Sequence, residues 1–184
     1  MALQIDPRPH LEAVAQAMTG DNQPAATFAA LDAALKQTIG HKLFTVLVVN
    51  WERSENQRYY SSNPGAYPVG GAKPINRDSQ SARKVIMAGE CHINHDYAEL
   101  SAAFFDHELI RSLGCESSIN VPVRWDGQTI GMLNLLHEAH WYDDVNIATL
   151  KVFAALAAPA LMKIIKDWPK AGPQPDLSQS GSRT

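Results

Sequence analysis

The sequence predicts an α+β domain built on an antiparallel sheet. Three observations carry that expectation: strands joined by hairpins rather than by helical crossovers, helical segments gathered toward the chain ends, and an Asp-Gly turn between two apolar runs. The 184 residues are 45% hydrophobic and 19% charged, with a net charge of -3. That suits one core of about 100 to 200 residues with tails and excludes a disordered chain. A slightly acidic chain lacks the basic footprint that phosphate backbones require, so no nucleic-acid partner is expected. Two cysteines make no disulfide framework, and the N-terminus lacks a basic start followed by an apolar stretch. The most apolar segment, 147–165, is interrupted by Lys151, Pro159 and Lys163 and reads as a packed helix. The expectation is a cytoplasmic protein with no membrane partner.

The elements follow in order. Residues 11–18 have a helical pattern, and residues 24–39 form an amphipathic helix through Phe28, Leu31 and Leu35, with Pro24 in its first turn and Gly40 at its end. Leu43 to Val49 is a continuous apolar, β-branched run, hence a central strand, and Arg58 to Ser61 is its partner. Tyr60 to Pro74, rich in proline and glycine, reads as a long structured loop. Residues 79–88 are helix-like and 91–94 extended. Residues 97–113 are mostly helical, with Phe104, Phe105, Leu109 and Ile110 as the expected buried set. Asp126-Gly127 then turns a hairpin of residues 115–124 and 128–136. Asp143 or Asp144 is the expected cap of a last helix whose stripe is Ile147, Leu150, Ala154, Ala157, Leu161 and Ile164, bent at Pro159. The expected division is an N-terminal segment with a short helix over 1–23, a domain over 24–168 and a flexible tail over 169–184.

Ser117 to Val123, the Asp126-Gly127 turn, Ile130 to Leu135 and the capped helix that follows resemble the C-terminal half of a GAF domain, a small-molecule sensory domain of phosphodiesterases, phytochromes and bacterial regulators. Ala88-Gly89-Glu90 and Ser112-Leu113-Gly114 resemble that family in the expected order. The resemblance spans about residues 24 to 166. It implies a sheet of five or six strands, terminal helices on one face, a ligand pocket under loops on the other, and frequent dimerisation through the terminal helices.

Strand alternation about the Asp126-Gly127 turn places Ser118, Asn120, Pro122, Gly131, Leu133, Leu135 and His137 on one face. That mixed polar and apolar wall suits a small-molecule pocket, although Ser118 and Asn120 facing water is an equal reading. In and beside the long loop, Tyr60 and Tyr67 offer rings, Tyr67 for stacking on a planar ligand, while Gly70 and Gly71 permit close backbone approach. Arg58 or Lys73 would pair with a carboxylate. A proline-stiffened loop packing Tyr67 and Val69 as a minor core stands beside that reading.

The candidate function is therefore a small-molecule-binding regulatory domain, homodimeric through its terminal helices and needing no cofactor. A rival is a thiol-dependent reductase similar to the free methionine-(R)-sulfoxide reductases of GAF fold, with Cys115 as nucleophile and Cys91 resolving. Their Gly-Val-Cys-Gly signature is missing, and burial is the commoner fate of a free cysteine. Cys91-His92 resembles a bilin attachment dipeptide but is misplaced for it. The groups Cys91, His92, His95, Asp96 and His137, His140, Asp143, Asp144 read as solvated loop residues, and no metal is expected. A third reading is a partner-binding module whose pocket is closed by its own side chains.

Overall fold

The computed structural model of the protein describes residues 5–171. Two helices, α1 (Arg8–Met18) and α2 (Ala25–Thr38), precede strands β1 (Leu43–Asn50), β2 (Glu55–Ser61) and β3 (Gly70–Pro74). A π-helix over Ala82–Met87 leads to β4 (His92–Asn94), then α3 (Tyr97–Ala103), α4 (His107–Ser112), the hairpin β5 (Ser117–Trp125) and β6 (Gln128–His137), and α5 (Ile147–Ala171). The strands form one six-stranded sheet in the order β3-β2-β1-β6-β5-β4, antiparallel throughout. The tail expected over 169–184 lies outside the described residues from 172 onward.

The apolar faces of the three long helices and of the central strands need each other. Phe28, Leu31 and Leu35 of α2, Phe44, Val46 and Val48 of β1, Ile119, Val121 and Val123 of β5, and Phe153, Ala157 and Leu161 of α5 make one buried cluster. The stretch Ile147–Trp168 is long and apolar enough to cross a membrane by length and composition. Its buried side nonetheless completes this core. Pro159 lies on the exposed side of α5, and the helix continues beyond it to Ala171.

The hairpin turn follows from its sequence: Asp126 (φ 47°) and Gly127 (φ 76°) both take the left-handed conformations that a twist-matched two-residue turn requires. The pairing beyond it does not follow simple alternation. A bulge between Val123 and Arg124 shifts the ladder, so Arg124 pairs with Thr129 but Val123 pairs with Gly131. Ile130 is the extra residue. A Cβ on Gly131 would clash with the Leu47 carbonyl oxygen and come within 2.7 Å of Leu161 Cδ1. Only glycine lets α5 approach the sheet so closely there. A second bulge, between Val46 and Leu47 where β1 meets β2, turns both Tyr59 and Tyr60 toward the helices.

Three further expectations are corrected. The helix over 97–113 is two helices, because Phe104 takes an extended conformation and Asp106 is drawn to Tyr67, whose hydroxyl donates to Asp106 Oδ2 at 2.7 Å. Phe105 and Leu109 are therefore exposed, at 78% and 42%, while Ile110 is buried. The start of α5 is capped by Asn146, whose Oδ1 accepts from the Thr149 N–H at 3.1 Å. Asp143 instead holds His95 and His140.

Candidate functional site

The face of the sheet away from the long helices carries a row of polar side chains that crosses five strands. His92 of β4 stands opposite Asn120 of β5, Asn120 opposite Asn134 of β6, Asn134 opposite Thr45 of β1, and Thr45 opposite Ser61 of β2. All five are buried. Asn120 Nδ2 donates to Asn134 Oδ1 at 2.6 Å, and Asn134 Nδ2 donates to Thr45 Oγ1 at 3.2 Å. Beside them Asn94 Nδ2 donates to Ser118 Oγ at 2.8 Å. The chain of amides ends in an open acceptor: Asn120, 2% exposed, has no partner for Oδ1. A buried amide oxygen that no donor meets costs roughly 1–3 kcal/mol.

Two small apolar clusters flank the row. Leu43, Tyr67, Leu100, Ile110, Cys115 and Leu136 form one, and Val49, Ile75, Ala82, Val85, Ile86 and Met132 the other. The loop 62–69 closes over the first of them through Tyr67. The Arg58 guanidinium lies 3.8 Å from the Tyr67 ring centroid and donates through Nη1 to the Pro68 carbonyl at 2.8 Å. Arg58 Nε and Asp106 Oδ1, on either side of Tyr67, are buried without hydrogen-bond partners. Burial and the Asp106 carboxylate push the Tyr67 phenol well up, so its hydroxyl remains the donor. A second contact ties the next strand, β3, to the same 104–106 junction, with Lys73 Nζ 3.7 Å above the ring of Phe105.

At the β4 edge, where the sheet ends, a cleft of about 410 Å³ opens between the start of the π-helical segment and α3. Ser79, Ser81 and Lys84 line one wall, Glu99 and Ala102 the other, and His92 and Asn94 the inner end. The cleft therefore adjoins the row at its open end. Burial, and then the Lys84 charge, hold His92 below the usual imidazole range, which keeps it neutral near pH 7. His95 at the cleft rim behaves oppositely: its Nδ1 lies 2.7 Å from Asp143 Oδ1, and that hydrogen bond raises its pKa.

The residues anticipated from sequence distribute unevenly over this geometry. Ser118 and Asn120 lie on the row face, and Arg58 and Tyr67 meet above it. Leu133 and Leu135 do not: the bulge puts them opposite Val121 and Ile119, inside the helix-side core. Their places on the row face are taken by Met132, Asn134 and Leu136. His137 pairs with Ser117 and stacks on Trp141 with centroids 3.6 Å apart and planes 13° apart. Tyr60 also faces the helices, donating its hydroxyl to Asp32 Oδ2 at 2.7 Å. Gly70, Gly71 and Lys73 belong to edge strand β3, with Gly71 fronting open space. Val69 is 46% exposed, so only Tyr67 of that pair packs inside.

Cys91 and Cys115 are both free, and they sit in different clusters, Cys91 against the helix-side core and Cys115 in the Tyr67 cluster. Burial raises both thiols, Cys115 to about 11. Among the described residues, no group of three or more His, Cys, Asp or Glu is arranged to hold a metal ion.

The sequence profile of the GAF domain matches residues 24–162, most of the chain. The chain belongs to the GAF-domain family. No curated protein matches it in sequence. Among solved structures, this GAF domain is similar to the GAF domain from the Acinetobacter phosphoenolpyruvate-protein phosphotransferase, at TM-score 0.66 and 10% identity over 92% of this chain and 97% of that one. It is also similar to the corresponding domain from Coxiella burnetii, at TM-score 0.66 and 12% identity over 90% and 96% of the two chains. A type II free methionine-R-sulfoxide reductase from Thermoplasma acidophilum is similar at TM-score 0.56 and 16% identity, over 86% and 96%. Likeness at such identities establishes the fold and not the chemistry.

The sequence reading missed His92, Asn94, Thr45 and Asn134 as members of the polar face that holds Ser118 and Asn120, and the cleft with them. One signal was available. Asparagine is depleted in strands, yet Asn94, Asn120 and Asn134 all stand within extended runs, and Asn134 interrupts Met132-Leu133-Asn134-Leu135-Leu136.

Proposed function

We propose that this GAF domain binds a small polar organic molecule in the cleft at the β4 edge, with a hydrogen-bond donor completing the polar row, and that it acts as a sensory or regulatory domain. The observation that carries the reading is the unpartnered Asn120 Oδ1, buried beside the cleft-lining His92. Transmission would run along α3. Its Glu99 and Ala102 line the cleft, and of the residues just beyond it Asp106 holds Tyr67 of loop 62–69 while Phe105 meets Lys73 of the following strand β3. A ligand that shifts α3 therefore biases whether the loop is latched. Native mass spectrometry of protein purified from its own cells tests the reading. A retained small molecule, lost on Asn120→Leu, is the expected result; protein that arrives empty and shows no ligand-dependent change at His92 or Asn94 sinks it.

Homodimerisation belongs to the same proposal. Ala148, Val152, Ala155, Pro159 and Met162 recur at intervals of four, three, four and three along the exposed side of α5, the spacing of a helix–helix seam. Val152→Glu should then lower the sedimentation coefficient to that of a monomer. The reductase reading finds less support, since a thiol raised by burial is a poor nucleophile and the two cysteines occupy separate clusters. Unchanged sulfoxide turnover in Cys115→Ser would exclude it.

A further inference from the structure

The cleft carries opposite charges on facing walls. Lys84 stands on the π-helical wall and Glu99 on α3, both exposed, and they do not pair with each other. Lys84 Nζ makes no hydrogen bond or ion pair among the described residues. Glu99 uses one oxygen, Oε2, to accept from the His95 N–H at 2.9 Å, which leaves Oε1 unengaged. The inner end is polar and uncharged, with a neutral His92 and Asn94, while Ser79 and Ser81 add hydroxyls beside Lys84. His95 stands at the rim with its Nδ1 turned to the Asp143 carboxylate.

This charge layout discriminates among ligand classes. A lone anion would gain Lys84 and face Glu99 across the cleft; a lone cation would meet the reverse. A neutral ligand would leave both charges to water. A compact dipolar molecule satisfies both walls at once, and its side chain then points to the hydrogen-bonding inner end. On the reading that the cleft is a ligand site, we infer that its ligand is a zwitterion of the free α-amino-acid class, its carboxylate against Lys84 and its ammonium against Glu99, with a small polar side chain toward His92 and Asn94. A volume of about 410 Å³ accommodates such a molecule.

The experiment is an amide-resonance titration of the full chain with each proteinogenic L-amino acid at millimolar concentration. Any that binds is compared with its N-acetyl form, which lacks the ammonium, and its carboxamide, which lacks the carboxylate. The expected result is saturable shifts at His92, Asn94 and Ala102, a loss of about tenfold or more in affinity for each derivative, and a similar loss for the parent amino acid in Lys84→Met. Glu99→Gln, which keeps an acceptor for the His95 N–H, should weaken the amino acid while leaving the N-acetyl form unaffected. Two results overturn the inference: no amino acid shifts the cleft, or a derivative binds as tightly as its parent. Neither removes the cleft as a ligand site if mass spectrometry finds a retained molecule carrying one charge or none; an empty protein with no responsive cleft removes both.

Discussion

The two faces of the sheet are assembled by different rules. Toward α1, α2 and α5, alternate residues of β1, β5 and β6 are Phe, Val, Leu and Ile, and they merge into one continuous cluster with the helices. On the other face the same strands present Thr45, Asn120 and Asn134 between two separate apolar patches. Burial is nearly equal on the two sides, but its energetic meaning is not. Apolar burial stabilises roughly in proportion to area, whereas a buried amide contributes little net and is costly when one partner is absent. The helix side is therefore where the fold draws its stability. The far side retains polar groups at some expense, and the expense is concentrated where Asn120, Arg58 and Asp106 have unpartnered atoms.

The largest effects should come from the helix side. Leu135→Ala is expected to cost about 2–5 kcal/mol in urea unfolding, and Gly131→Ala about 1–3 kcal/mol because the added carbon meets backbone as well as Leu161. A smaller loss for either would blur the contrast between faces. On the far side the paired replacement Asn120→Leu with Asn134→Leu removes donor and acceptor together, leaves only the Thr45 hydroxyl without its donor, and should cost about 1 kcal/mol while removing the binding proposed above. The single change Asn134→Leu strands both neighbours and should cost more than the pair does.

Tyr67→Phe removes the hydroxyl held by Asp106 and should cost about 1 kcal/mol, with faster amide exchange confined to loop 62–69 and the 104–106 junction. If exchange quickens across the whole sheet instead, the loop is structural support and not a latch. The smallest effect concerns protons. His95 should titrate above the ordinary imidazole value and His92 below it in the same NMR series. The raised His95 makes its tie to Asp143 fully effective below the ordinary imidazole value and loses it as pH rises through the raised one. Asp143, lowered by the same hydrogen bond, keeps the tie until pH falls through its depressed value. Amide protection over 138–144, taken relative to the intrinsic exchange rate at each pH, should thus be greatest in mildly acidic solution.

Local chemistry was legible wherever a residue type has one conformational use. Asp126-Gly127 specified its turn, Phe28, Leu31 and Leu35 specified the buried face of α2, and Gly40 marked that helix's end. The face assignment of Leu133 and Leu135 failed because alternation predicts a face only while the ladder stays in step, and the bulge at Ile130 changes the parity; a second bulge turns Tyr60, expected beside the loop, toward the helices. Gly131 within a strand was the available warning, since glycine there signals a bulge or a close backbone approach. The cleft left no comparable trace. Its walls come from 79–84 and 92–103, segments brought together only by packing, and Lys84 or Glu99 alone reads as ordinary surface charge.

The extra residue at Ile130 also governs which changes of length this hairpin can inherit. Losing its codon would keep Val123 opposite Gly131 and Asn120 opposite Asn134, and would remove only the bulge's added twist and the Ile130 side chain from the helix-side core. Additions at the solvent-exposed turn likewise leave that pairing in place. Lineages of this domain should accordingly vary in size between Arg124 and Ile130 and hold the count constant over Ser117 to Val123 and Gly131 to His137.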